Sequence, residues 1–131
     1  GGNSVVKEYR KEEAEKFLKK AEEFYNSALE NYQKGRYSAY IFDATQAIIL
    51  ANDAFCIHLL GKRASKDHRE AVLLHSQASQ IKGESKKEIV AEALERRSEF
   101  GYTEISASQK DVSKILVKAR RFLDWVKTMI K

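Results

Sequence analysis

No proline occurs anywhere in the 131 residues, so nothing in the chain breaks a helix from within. Cysteine is almost as scarce. Cys56 stands alone, which excludes an intramolecular disulfide, and its apolar neighbours mark it as a small core residue. A lone thiol suits a reducing compartment, and a cytoplasmic location is expected. Long apolar runs are missing too. The most apolar stretches, 47–51 and 57–60 on either side of Asn52 and Asp53, fall far short of the ~18 residues a membrane span needs. No secretory signal is visible, and no membrane association is expected. There is no pair of histidines at metal-ligand spacing and no HExxH, so neither a metal nor another cofactor is expected. The glycine patterns of P-loop and Rossmann folds are also missing.

What is abundant is Ala, Leu, Glu, Lys, Arg and Gln, residues that lose little rotamer freedom in a helix. The length suits one domain able to bury a core without staples, expected over residues 5–131. Residues 1–4, which lack a methionine, are expected to be a processing or cloning remnant. Phe17, Ala21, Phe24, Ala28 and Leu29, widened by Tyr25 and Tyr32, recur at helical spacing and predict an amphipathic helix over about 7–34. Gly35 is suited to end it. A second helix is predicted over 37–60 with Gly61 as its terminator, followed by a basic connector, 61–66, with no apolar period.

Three further starts carry the signature of a capping box, an acceptor followed three residues later by a carboxylate or amide. Asp67 with Glu70 opens a short helix at His68, and Ser85 with Glu88 opens one that should stop near Gly101. Ser106 with Gln109, or Ser108 with Asp111, opens the last, which stays amphipathic through Ile130. Together these predict an all-α, up-and-down bundle of four to five helices with no sheet, in which the first two pack as an antiparallel hairpin.

The formal net charge of +5 is unevenly placed. Residues 1–60 carry 8 Lys+Arg against 9 Asp+Glu, a net of −1, whereas residues 61–131 carry 16 against 10, a net of +6. That excess suits either a solvated basic surface or a polyanionic partner. The least bundle-like stretch is 94–102, where Arg96, Arg97 and Tyr102 crowd the end of a helix at Gly101. An arginine held there can clamp a phosphate bidentately, and a hydroxyl beside it can orient or exchange a proton. Two readings stay open, because the same arginine can instead neutralise C-terminal carbonyls while the tyrosine ring packs over the helix end. His58 and His75, inside helices, read as packing residues. His68 lies at a helix start between Lys66 and Arg69, where free amides and basic side chains favour anions.

The order of three segments resembles the HEPN domain, named for higher eukaryotes and prokaryotes nucleotide-binding. They are Tyr37-Ser38-Ala39-Tyr40, Lys66-Asp67-His68-Arg69, and Arg97-Ser98-Glu99-Phe100-Gly101-Tyr102 ahead of a Ser-capped last helix, and the likeness covers about residues 9–131. The resemblance implies a helical bundle that forms a homodimer. It also implies a toxin–antitoxin or defence setting, with a nucleotidyltransferase as partner protein. Many members are metal-independent ribonucleases whose motif is an arginine, four to six residues, then a histidine. Here the arginine falls on Arg97 and the histidine position on Tyr102. A tyrosine, with an ordinary pKa of about 10, is a weaker base at neutral pH than a histidine at about 6.5. The expected function is therefore an RNA- or nucleotide-binding module, with Arg97, Tyr102, Arg96, Lys66 and Arg69 at the phosphate. The alternatives are an active endoribonuclease, with Arg97, Tyr102 and His68 as its catalytic groups, and a bundle that only docks a partner protein.

Overall fold

The computed structural model describes residues 6–65, 68–100 and 109–131. Among them are five helices: α1 (Ala14–Gln33), α2 (Tyr37–Leu60), α3 (His68–Lys82), α4 (Lys87–Phe100) and α5 (Gln109–Met129). The expected all-α bundle is what forms. Its organising element is α2, which is buried from Ala47 through Ile57 without a break and packs against all four other helices. A helix apolar on every side needs such a jacket. The amphipathic helices α1 and α5 supply much of it, through Ala14, Leu18, Ala21 and Ala28 on one and Ile115, Ala119, Phe122, Leu123 and Val126 on the other, with Ile130 just beyond its end. Cys56 is fully buried in this core, as its neighbours imply.

The helix ends follow local chemistry. Gly35 (φ +72°) and Gly61 (φ +68°) adopt the left-handed conformation just after α1 and α2, where a side chain would be strained. Tyr40 is buried where α2 meets α5, and its hydroxyl accepts the Leu116 N–H at 2.8 Å. Burial pushes the Tyr40 phenol up to about 12, so it stays protonated.

Two expectations need correction. The chain does contain a small sheet: β1 (Val6–Glu8) pairs antiparallel with β2 (Lys62–Ala64), Lys7 opposite Arg63. The first helix therefore begins at Ala14, after a 3-10 turn over Lys11–Glu13, and not near residue 7. Three residues are too few to show a strand period. What selects the strands is tertiary: Tyr9 N–H donates to the Gly61 carbonyl at 2.8 Å, and the Arg63 guanidinium lies 5.6 Å from the Tyr9 ring centre and 4.9 Å from that of Phe17. The second correction is at α4. Ser85 forms no box with Glu88; its hydroxyl accepts the Lys87 N–H at 3.3 Å, while the Lys86 N–H is taken by His75 Nε2 at 2.9 Å. The starts expected at Asp67 and at Ser106 or Ser108 fall on residues outside the described ones, although α3 does begin at His68.

Candidate functional site

The bond between His75 and Lys86 sets the geometry of the α3–α4 hairpin. His75 is fully buried, and its Nδ1 lies 2.8 Å from Asn52 Oδ1 on α2. Because Nε2 accepts from Lys86, Nδ1 must carry the proton and donate to Asn52, so the ring is a neutral, satisfied bridge. Burial lowers its pKa to about 4 and keeps it so. The ring also packs against Phe55, Phe122 and Trp125, with centroids 5.1, 6.3 and 5.8 Å away. His75 is thus a packing residue, as its place inside a helix suggests. With residues 75 and 86 in register, the start of α3 lies beside the later half of α4.

That register gathers several sequence-derived site residues at one end of the hairpin. His68 and Arg69, in the first turn of α3, share a groove with Leu94 and Glu95 of α4. Arg96 and Arg97 follow directly but turn the other way, lining a narrow cleft with Phe42, Thr45 and Gln46 of α2. Arg96 is committed to Glu92 at 3.2 Å, and Glu92 also holds Lys118 at 2.9 Å. Arg97 is exposed. Thr45 is buried, and its hydroxyl has no hydrogen-bond partner among the described residues.

Beneath them lies an acid. Asp53 is only 7% exposed and is bridged by Arg63 Nη1 at 3.1 Å. Burial pushes its carboxyl up to about 7 against the pull of Arg63 and, more weakly, of Arg97. The Arg97 charge is therefore felt at this carboxyl, which ties the end of α4 to the middle of α2. The arrangement offers an exposed guanidinium for an anion and a carboxyl that gains or loses a proton near neutrality.

A family model described as HEPN domain matches residues 14–129. The chain belongs to the HEPN domain family. No curated protein matches it.

Within this HEPN bundle the proposed cluster divides between two faces of α4. His68 and Arg69 line the groove toward α3, whereas Arg96 and Arg97 line the cleft toward α2. Tyr102 and Lys66 lie outside the described residues. Asp53, Arg63 and Thr45 escape a sequence reading because each looks ordinary in its own segment. One signal was there: Asn52-Asp53 is a polar pair in the middle of an otherwise apolar helix. A buried polar pair needs partners, and here they are His75 and Arg63. No group of three or more His, Cys, Asp or Glu able to hold a metal ion is found among the described residues. Nor is any helix there long and apolar enough to cross a membrane.

Proposed function

We propose that this HEPN chain binds RNA or a nucleotide through phosphate, with Arg97 as the clamp. The observation that carries the reading is the exposed Arg97 guanidinium at the end of α4, beside Arg96 and within electrostatic reach of Asp53. A planar guanidinium pairs with two phosphate oxygens at once, which gives orientation as well as attraction. Arg69 adds positive potential at the same end of the hairpin, with His68 beside it, and Lys66 and Tyr102 complete the set by sequence. The wider setting in this proposal is a homodimer within a toxin–antitoxin or defence pair, beside a nucleotidyltransferase. The test is fluorescence anisotropy with a labelled single-stranded RNA across a salt series. Arg97→Ala should weaken binding by about 1.5–3 kcal/mol, the range for a charge-assisted bond, and flatten the salt dependence. Equal binding by wild type and variant at low salt would refute the clamp.

The spacing of Arg97 and Tyr102, four residues between them, favours a second reading, metal-independent endoribonuclease activity. In that chemistry the RNA 2′-hydroxyl loses its proton and attacks the adjacent phosphorus, the 5′-oxygen leaves with a proton, and a 2′,3′-cyclic phosphate results. Arg97 stabilises the charge that develops on phosphate. Tyr102 and His68 are the groups this reading gives the proton transfers, because the Asp53 carboxyl is only 7% exposed and bridged by Arg63. Incubating RNA with the protein in excess EDTA, with Arg97→Ala and Tyr102→Phe as controls, separates the readings: cyclic-phosphate ends that both variants abolish support cleavage, and intact RNA leaves binding alone.

A further inference from the structure

Phe42, Thr45 and Gln46 stand three and four positions apart on α2 and so share one face of that helix. Across a narrow cleft from them lie Arg96 and Arg97 of α4. The α2 wall is graded from solvent to core. Phe42 is 41% exposed, Gln46 is half-buried, and Thr45 is 3% exposed. The Thr45 hydroxyl is shut off from solvent without a hydrogen-bond partner among the described residues, and the cleft leaves no room for a water to supply one. A buried hydroxyl left in that condition costs stability until a polar group reaches it. A phosphate clamp at Arg97 accounts for neither this hydroxyl nor the aromatic ring exposed beside it.

We propose that Phe42, Thr45 and Gln46 form a base-recognition subsite next to the clamp, which takes one unpaired nucleotide of a single-stranded RNA. The base stacks on Phe42, its polar edge meets the Thr45 hydroxyl and the Gln46 amide, and its phosphate rests on Arg97. The inference rests on the phosphate-binding reading and adds to it the form of RNA that is bound. Stacking suits any base, since every base has a π-face, while the hydroxyl and the amide each donate and accept and so match an exposed Watson–Crick or Hoogsteen edge. Turning the Phe42 ring outward opens the cleft over Thr45, a rotamer change that exposed side chains make within nanoseconds. The same face suits a second copy of the chain poorly. A two-fold contact centred there would set Arg97 against Arg97, whereas a nucleotide uses the ring, the hydrogen-bonding pair and the cation together.

The experiment measures, by fluorescence anisotropy at low salt, the affinity of the intact protein for an unstructured RNA oligomer and for an abasic ribose-phosphate strand of the same length. The wild type should prefer the RNA by about fivefold or more, the lower end of the range for one stacked base. Phe42→Ala should erase that preference and Phe42→Trp should keep it, both with wild-type circular dichroism. Thr45→Val should lower RNA affinity about threefold while the melting temperature holds or rises, because the hydroxyl it removes is unpaired. Arg97→Ala should weaken both strands and leave the preference in place. A wild type that binds the two strands equally overturns the base subsite and leaves the phosphate reading standing; one that binds neither overturns the phosphate reading, and the subsite falls with it. A preference that survives Phe42→Ala overturns the subsite. So does a dimer mass lost in Phe42→Ala, which would assign the ring to a contact between copies.

Discussion

Two buried groups on neighbouring positions of the fold titrate in opposite senses, and replacing one should expose the other. His75 falls from an ordinary 6.5 to about 4, chiefly through burial. Between those values the unfolded chain binds a proton that the folded chain refuses, so His75 removes stability as pH drops. Asp53 rises from 3.8 to about 7, again through burial. Over the same interval the folded chain binds a proton that the unfolded chain does not, so Asp53 adds stability as pH drops. One pKa unit corresponds to about 1.4 kcal/mol, so each group should change stability by about 2 kcal/mol between pH 6.5 and 4.5, with opposite sign. Glu22, held down to about 2 mainly by its hydrogen bond to Arg120, contributes fully above its ordinary 4.5 and stays nearly constant over the interval. The wild type should accordingly show a shallow profile in urea unfolding at constant ionic strength. Asp53→Asn should uncover the histidine, losing about 2 kcal/mol from pH 6.5 to 4.5, and adding His75→Gln should flatten the profile again. An Asp53→Asn profile parallel to that of wild type would refute the reasoning.

His75→Ala leaves the Lys86 amide and the Asn52 side chain without partners and opens space beside Phe55, so urea unfolding should report a loss of about 3 kcal/mol or more. Gly61→Ala meets both a left-handed backbone and the Tyr9 carbonyl 3.3 Å from the new Cβ; Gly35→Ala meets only the backbone. Thermal melts should therefore show Gly61→Ala as the more harmful of the two, by about 1 kcal/mol. Tyr102→Phe should abolish any RNA cleavage if the hydroxyl carries protons, while leaving RNA affinity within about twofold if only the ring matters. Light scattering at tens of micromolar should give twice the chain mass, and a concentration-independent monomer mass would count against the homodimer.

Composition and spacing alone determine a good deal here. Without proline, and with apolar residues at three- and four-residue spacing, the chain has little choice but helices, and Gly35 and Gly61 mark their ends because a left-handed residue is needed there. The bounds of α2 and the start of α3 follow from such local rules. The family likeness is also legible, since it rests on the order of short segments along the chain. The strands, the start of α4 and the partners of the buried polar groups are different in kind. Each depends on a contact between residues far apart in sequence: Val6 with Ala64, His75 with Asn52, Arg63 with Asp53. Three-residue strands form because the Arg63 guanidinium and the Gly61 carbonyl hold them to the Tyr9 end of the chain. The division of the basic cluster has the same origin. Whether Arg97 and Arg69 meet depends on how α4 is rotated between α2 and α3, and periodicity names the buried face of a helix without naming the neighbour that covers each side of it. The titration of Asp53 is the furthest from local chemistry, because desolvation belongs to the whole jacket of helices around it, and no neighbour in the sequence carries that information.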